Sequence, residues 1–198
     1  MSVYPHRETT SAAILAGGQA RRFAGRDKSR VVISGRSIIV RQLDVLQQVA
    51  AEIVVVSPFA ERFADLSLAV HADRISGLGA IGGIYTAVEV ANADNIVVVA
   101  CDLPFLTAPL LGRLVELAQR ADGAWIHSRR GVEPLVACYR KHSLRSIRNA
   151  IDAGRLTAGA LADAMSIAEL PESALTPFGD PERLLANINT AADLARLG

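Results

Sequence analysis

A glycine-rich loop with basic side chains follows the first apolar run of the chain. Gly17 and Gly18 begin the loop, and Arg21 and Lys28 follow within it. Glycines allow backbone N–H groups to approach an anion closely, and the basic side chains supply positive charge. The pattern favours a polyphosphate site, although an arginine-rich surface turn without a ligand explains the composition equally well.

The charge of this region is unusual for the chain. Residues 21–41 carry seven basic side chains and one acidic side chain, whereas the whole chain has a formal charge of +1. The loop is not a P-loop, because Asp27 rather than glycine precedes Lys28 and six residues separate Gly18 from Gly25. The dinucleotide pattern G-x-G-x-x-G is also absent, so neither familiar phosphate motif applies.

An acidic residue follows a second apolar run. Asp102 comes directly after residues 96–101, which read as a buried strand. A carboxylate at the carboxyl edge of a sheet can hold Mg²⁺ against phosphate oxygens, but an isolated aspartate there often caps a helix or forms a turn. Its interest comes from sharing an edge with the Gly17–Gly18 loop.

A third cluster of glycines opens a helical pattern. Residues 76–83 contain four glycines, among them Gly79, and Asp73 lies shortly before them. Glycines at a helix start suit the close approach of an anionic or flat ligand group. Tight packing of a helix on a sheet is the competing explanation.

Composition places these candidates in one globular domain. The 198 residues are 51% apolar and 21% charged, which excludes a disordered or fibrous chain. The near-neutral charge does not favour a nucleic-acid binder, and two cysteines are too few for a disulfide framework. Neither a signal peptide nor a membrane span is evident. We expect a cytoplasmic domain over residues 1–198, with residues 1–10 a flexible N-terminus.

Apolar runs alternate with helical patterns along the chain. Continuous runs rich in valine and isoleucine are typical of parallel strands covered on both faces. The predicted strands are residues 12–16, 53–57, 68–71, 96–101, 124–127 and 135–139. The predicted helices are residues 36–51, 81–93, 108–121, 143–153 and 156–164, with a last helix capped by Thr190 and Asp193. Residues 171–181 read as a surface loop. This order predicts an α/β fold, a three-layer α/β/α sandwich with a mostly parallel, Rossmann-like sheet.

Together the motifs resemble the molybdenum cofactor guanylyltransferases, within the nucleotidyltransferase superfamily. The matching segments are residues 15–28 (LAGGQARRFAGRDK), 77–83, 101–104 (CDLP), 133–137 and 187–190 (NINT). They lie in the family's order and extend over residues 11–198. The chain departs from the family at Phe23 and Leu78, where methionine and proline are usual, and at Ser57, where asparagine is frequent.

The resemblance implies transfer of GMP from GTP to the terminal phosphate of molybdopterin, with release of pyrophosphate. It assigns the backbone of Leu15, Ala16, Gly17 and Gly18, together with Asp73 and Gly79, to nucleoside and phosphate contacts. Arg21 and Lys28 would hold the β- and γ-phosphates, and Asp102 would bind Mg²⁺. Asn187 and Asn189 would approach the metal and phosphates or the incoming pterin phosphate.

Several alternatives stay open at this point. The chain could be a cytidylyltransferase of the same cofactor or a sugar- or alcohol-phosphate nucleotidyltransferase, although the Gly17–Gly18 pair favours guanine. A non-catalytic nucleotide-binding module is a third reading. A second group of basic residues could receive the pterin or a protein that delivers or accepts the cofactor, or could be a solvated face. That group is Arg129, Arg130, Arg140, Lys141, Arg145, Arg148 and Arg155.

Overall fold

The computed structural model of the chain describes residues 4–17, 28–190 and 193, with the backbone alone at Lys28. Its strands are β1 (Thr10–Leu15), β2 (Val32–Ile33), β3 (Arg36–Ser37), β4 (Glu52–Val56), β5 (Ala69–His71), β6 (Asn95–Ala100), β7 (Gly123–Ser128), β8 (Gly131–Arg140) and β9 (Ile167–Pro171). Its helices are α1 (Ile38–Val49), α2 (Ala80–Val90), α3 (Ala108–Ala118), α4 (Leu144–Asp152) and α5 (Pro181–Leu184).

Seven strands form one central sheet in the order β5-β4-β1-β6-β8-β7-β9. Strands β5, β4, β1 and β6 are parallel neighbours, β8 is antiparallel to both β6 and β7, and β9 is parallel to β7. The carboxyl ends of β1, β4, β5, β6, β7 and β9 therefore share one edge of the sheet with the turn between β7 and β8.

Helices cover both faces of the sheet. Along β1, Ala12 and Ile14 pack with α1 and α3, whereas Ala13 packs with α2 and α4. Successive side chains of a strand point to opposite faces, so consecutive apolar residues such as Ala12, Ala13 and Ile14 are buried against both helical layers. The three-layer α/β/α sandwich with a mostly parallel sheet is confirmed.

Three local predictions were wrong or incomplete. The segment 156–164 forms a 3-10 helix over Ala158–Asp163 rather than an α-helix, and Gly159 in its middle disfavours a longer helix. Strand β9 was not predicted, because a short edge strand that carries Glu169 and ends in Pro171 lacks an apolar run. The hairpin of β2 and β3 was also missed; its turn has positive φ at Ser34 (47°) and Gly35 (80°), which serine rarely adopts.

The second basic group divides between distant surfaces. Lys141 lies at the amino edge of the sheet, where its Nζ donates to the carbonyls of Val88, Glu89 and Ala91 at 2.8, 2.9 and 2.6 Å. These carbonyls belong to the end of α2, so the ammonium group caps that helix. Arg148 pairs with Asp152 along α4. Arg129 and Arg130, in the β7–β8 turn, lie at the opposite, carboxyl edge, so Lys141 and these two arginines do not share one surface.

The cap made by Lys141 generates a stability prediction. Lys141→Met keeps the aliphatic stem and removes three charge-assisted hydrogen bonds, so the free energy of unfolding in urea should fall by about 2 kcal/mol. Arg145→Met, an exposed charge on the next helix, is the control and should stay within about 0.5 kcal/mol of the parent. Equal effects of the two substitutions would contradict the capping role.

Candidate active site

The ends of four parallel strands are tied together at the carboxyl edge. Beyond the regular pairing, backbone hydrogen bonds join Ala16 N to Val56 O at 2.8 Å, Cys101 N to Leu15 O at 3.1 Å and Ser57 N to His71 O at 2.8 Å. The hydroxyl of Ser57 also donates to Ala16 O at 3.2 Å. The chain thus leaves β1, β4, β5 and β6 from a fixed platform.

The glycine-rich loop begins on this platform. Gly17 is exposed, and a Cβ placed on it would lie 3.8 Å from Oδ2 of Asp73. The structure therefore brings the start of the loop and the aspartate after β5 together. The predicted contacts of Gly18, Arg21 and the Lys28 side chain lie outside the described residues.

Asp73 carries a carboxylate that is available to a ligand. The side chain is half-buried, and among the residues the structure describes it has no hydrogen-bond or ion-pair partner. Burial raises the pKa of Asp73 above its ordinary value, because desolvation disfavours the charged form. Such a carboxylate can accept hydrogen bonds from the N–H groups of a base or the hydroxyls of a ribose.

Asp102 stands on the turn that follows β6, the strand next to β1. In the β1–β6 pairing Leu15 lies opposite Ala100. Gly17 comes two residues after Leu15, and Asp102 comes two residues after Ala100. Asp102 is half-buried with its Oδ1 atom inaccessible to solvent. Its backbone carbonyl accepts a hydrogen bond from Ile188 N at 3.0 Å.

That last bond brings the asparagine motif to the same edge. Ile188 is fully buried against Ile33 and Ile38, while Asn187 on one side is exposed and Asn189 on the other is half-buried. The motif ends in the predicted cap: the N–H of Thr190 donates to Asp193 Oδ2 at 2.9 Å, and the N–H of Asp193 donates to Thr190 Oγ1 at 3.1 Å.

The two explanations of the glycine cluster, ligand approach and close helix packing, apply to different glycines. Gly79 precedes α2 with φ of +59°, and open space surrounds the place of a Cβ there. At Gly83 a Cβ would lie 3.0 Å from Leu15 Cδ1, and at Gly82 it would lie 3.1 Å from Ile75 O. Gly82 and Gly83 thus permit the close packing of α2, whereas Gly79 leaves the helix start accessible.

Part of the basic stretch 21–41 has structural partners. The guanidinium of Arg30 binds Asp65, that of Arg36 binds Asp44, and Arg41 donates to Ile33 O. These partners account for three of the seven basic side chains; the other four are Arg21, Arg22, Arg26 and Lys28.

A groove of about 730 Å³ continues the site along the carboxyl edge. Its lining includes Arg129, Arg130, Arg183, Asn187 and Asn189. Its volume is that of a site for a small organic molecule. The groove is therefore large enough to be a candidate site for a second substrate.

Sequence reasoning missed Gln42, which is buried in the apolar stripe of α1. Its Nε2 donates to Ala100 O at 2.7 Å and to Leu103 O at 3.0 Å, on the two sides of Asp102. The available signal was a polar residue at a position where the helical spacing of Ile38, Ile39 and Leu46 expects an apolar one.

The donor set suits a metal ion that arrives with a substrate. Among residues 4–17, 28–190 and 193, no group of three or more His, Cys, Asp or Glu side chains could hold a metal ion. Mg²⁺ is commonly held by one or two carboxylates together with substrate phosphates and water. The half-buried carboxylate of Asp102, a hard oxygen donor beside the start of the glycine-rich loop, fits that manner of binding.

A mostly parallel sheet with candidate ligand residues at the carboxyl ends of neighbouring strands is typical of nucleotide-binding α/β proteins, and the comparisons with known proteins define the class as a nucleotidyltransferase. Residues 12–167 match the model of the MobA-like NTP transferase domain. The chain is 30% identical over 186 residues to a probable molybdenum cofactor guanylyltransferase of Pelotomaculum thermopropionicum, covering 94% of this chain and 90% of the relative. It is 26% identical over 191 residues to a molybdenum cofactor guanylyltransferase of Desulfosudis oleivorans, covering 96% and 94%.

Among solved structures, the molybdopterin-guanine dinucleotide biosynthesis protein A of Archaeoglobus fulgidus superposes with a TM-score of 0.77 at 26% identity, covering 94% of this chain and 96% of that chain. The chain belongs to the MobA-like NTP transferase family, and it is a nucleotidyltransferase. Among its described residues no helix is both long and apolar enough to cross a membrane.

The raised pKa of Asp73 generates a prediction about stability. An acid whose pKa is raised by folding destabilises the folded state once it is ionised, and the effect disappears as pH falls below the pKa of the unfolded chain. Asp73→Asn should therefore raise the Tm at pH 7.5, and the difference from the parent should shrink on acidification.

Asp65→Asn is the control of opposite sign. The hydrogen bond from Arg30 lowers the pKa of Asp65, so this substitution should lower the Tm at pH 7.5. A lower Tm for Asp73→Asn at neutral pH would show that the carboxylate is stabilising and would refute the desolvation argument.

Proposed function

We propose that the protein transfers GMP from GTP to the terminal phosphate of molybdopterin or of the molybdenum cofactor, in a reaction that depends on Mg²⁺. The observation that carries this proposal is the β1–β6 pairing, which starts the glycine loop and the Asp102 turn from adjacent strand ends. The names and coverage of the relatives support the choice of substrates.

The nucleotide would lie over the ends of β1 and β5. The exposed backbone at Gly17 would approach the nucleoside and its phosphates, together with the backbone of Leu15, Ala16 and Gly18. Asp73, beside Gly17, would accept hydrogen bonds from the base or the ribose. The accessible backbone of Gly79 would border the same space, since α2 begins there.

Charge neutralisation is the main demand of this chemistry. An oxygen of the acceptor phosphate forms a bond to the α-phosphorus of GTP, and the bond from that phosphorus to the bridging oxygen breaks with pyrophosphate as leaving group. Bound Mg²⁺ supplies charge neutralisation on the phosphate oxygens. Asp102 would hold the ion, and Arg21 and Lys28 would balance the β- and γ-phosphates.

A general base is not required, because the acceptor phosphate is already an anionic nucleophile. The protein then acts by orienting two phosphates and by stabilising the charge that builds on the leaving group. This division of labour agrees with a site composed of a glycine loop, basic side chains and carboxylates.

The acceptor would occupy the groove of about 730 Å³. Asn187 and Asn189 line the groove, and Ile188 between them is hydrogen-bonded to the backbone of Asp102. Their amide groups would orient the pterin phosphate, and Arg129 and Arg130 would face its anionic groups. A protein that delivers or receives the cofactor would approach this same edge.

Two alternatives have different expected behaviour. A cytidylyltransferase of the same cofactor or a sugar- or alcohol-phosphate nucleotidyltransferase would share the fold but prefer another nucleotide or acceptor. A non-catalytic module would bind nucleotide without release of pyrophosphate. Asp102 and Lys28, which a module without catalysis does not need, favour the enzyme.

The role of Asp102 is tested by its amide. Asp102→Asn removes the charge that holds the metal, so the rate of pyrophosphate release from GTP and molybdopterin should fall by about a hundredfold or more with an unchanged fold by circular dichroism. Asp94→Asn is the matched control, because Asp94 precedes the same strand at its opposite end; it should keep full activity. Full activity of Asp102→Asn would refute the assignment.

The choice of nucleotide is tested with a panel of GTP, CTP, ATP and UTP, each with molybdopterin. We expect pyrophosphate release with GTP and a product with the mass of the guanine dinucleotide. Turnover with CTP alone would replace the guanine assignment by the cytidine one. Nucleotide binding without release of pyrophosphate in any of the four reactions would favour the non-catalytic module.

A further inference from the structure

Gln42 is a buried polar residue on the apolar face of α1. It is 3% exposed and shares this face with Ile38, Ile39, Leu46 and Val49. A buried amide lowers stability unless it forms hydrogen bonds. Its partners therefore indicate what the residue does.

The partners of Gln42 lie on the two sides of Asp102. One Nε2 group donates to Ala100 O, the last residue of β6, at 2.7 Å, and to Leu103 O at 3.0 Å. A single planar amide thus bridges the two residues that flank Cys101 and Asp102. The bridge fixes the distance between the two ends of this turn.

The other atom of the amide makes Gln42 more than a packing residue. Its Oε1 is buried and has no hydrogen-bond partner among the residues the structure describes. Hydrogen bonding therefore orients the amide only through its two donated bonds. An apolar side chain of the same length would avoid the unpartnered oxygen but could not bind the turn.

A second contact holds the same turn from the opposite direction. Ile188 N binds the carbonyl of Asp102, and the Ile188 side chain packs on Ile38, one helical turn before Gln42. Helix α1 therefore contributes to both contacts: directly through Gln42 and indirectly through Ile38. The backbone from which the Asp102 side chain projects is thus held at residues 100, 102 and 103.

We propose that Gln42 is a positioning residue, which acts through the turn 100–103 to aim the carboxylate of Asp102 at the metal and phosphates. This inference rests on the proposed function, because it assumes that Asp102 is the metal ligand. Gln42 itself touches neither substrate nor ion. Substitution of residues that orient a metal ligand typically lowers metal affinity or activity about 10- to 100-fold.

The test replaces the amide with a thioether of similar length. Gln42→Met preserves the volume and apolar packing of α1 and removes both donated hydrogen bonds. Gln119→Met is the control for the loss of two donated hydrogen bonds, since the exposed Gln119 donates through Nε2 to Asn95 Oδ1 at 2.8 Å and Val115 O at 2.9 Å, at the amino edge of the sheet.

Two readouts separate positioning from a loss of stability. In the protein without metal or substrate, the amides of Cys101 and Ile188 should exchange hydrogen about tenfold faster in Gln42→Met than in Gln119→Met. In turnover with GTP and molybdopterin, the Mg²⁺ concentration for half-maximal rate should rise about tenfold, with less change in the KM for GTP. A purely structural role would lower the folded fraction and leave this Mg²⁺ concentration unchanged.

The outcomes distinguish the two proposals. If Asp102→Asn is inactive and Gln42→Met matches Gln119→Met in amide exchange and Mg²⁺ dependence, the inference about Gln42 is wrong and the proposed function stands. If Asp102→Asn keeps full activity, the proposed function fails, and the role of Gln42 fails with it.

Discussion

The parallel pairing of β1 with β4 on one side and β6 on the other is the constraint on which the site depends. Every side chain of β1 except that of Leu15 is buried, so the strand cannot shift by one residue without exchanging its two apolar faces. This fixed register places Gly17 and Asp102 at adjacent strand ends. The positions of the candidate site residues at this edge thus depend on the packing of β1 within the sheet.

The elements that hold the edge come from distant parts of the sequence. The turn at Asp102 is bound by Gln42 from α1 and by Ile188 from the last described segment. Ile188 packs with Ile33 and with Ile38 of α1 in a small apolar cluster. Asp73 at the same edge is destabilising rather than stabilising when ionised, because it is half-buried and burial raises its pKa. A ligand that donates hydrogen bonds to Asp73 would compensate for the lost solvation. The ionised carboxylate therefore favours ligand binding but lowers the stability of the folded chain.

The sequence predicts the central strands and the shared edge well, because buried parallel strands produce continuous apolar runs. It does not predict β9, whose exposed side carries Glu169 and so interrupts the run. The role of Gln42 is also hidden, since its hydrogen bonds span 58 and 61 residues along the chain. Charge patterns in the sequence do not reveal which basic residues share a surface. Lys141 and Arg130 are close in sequence, but they lie at opposite ends of β8.

The groove illustrates how partnered charges can still serve recognition. Arg129 pairs through Nε with Glu172 at 3.0 Å, and Arg130 uses Nη2 to bind Leu185 O at 2.8 Å. Each guanidinium has five donors in a rigid plane, so these bonds orient the group without exhausting it. An anionic acceptor could bind the remaining donors of these two arginines. The nearby carboxylates disfavour anions that do not match the geometry.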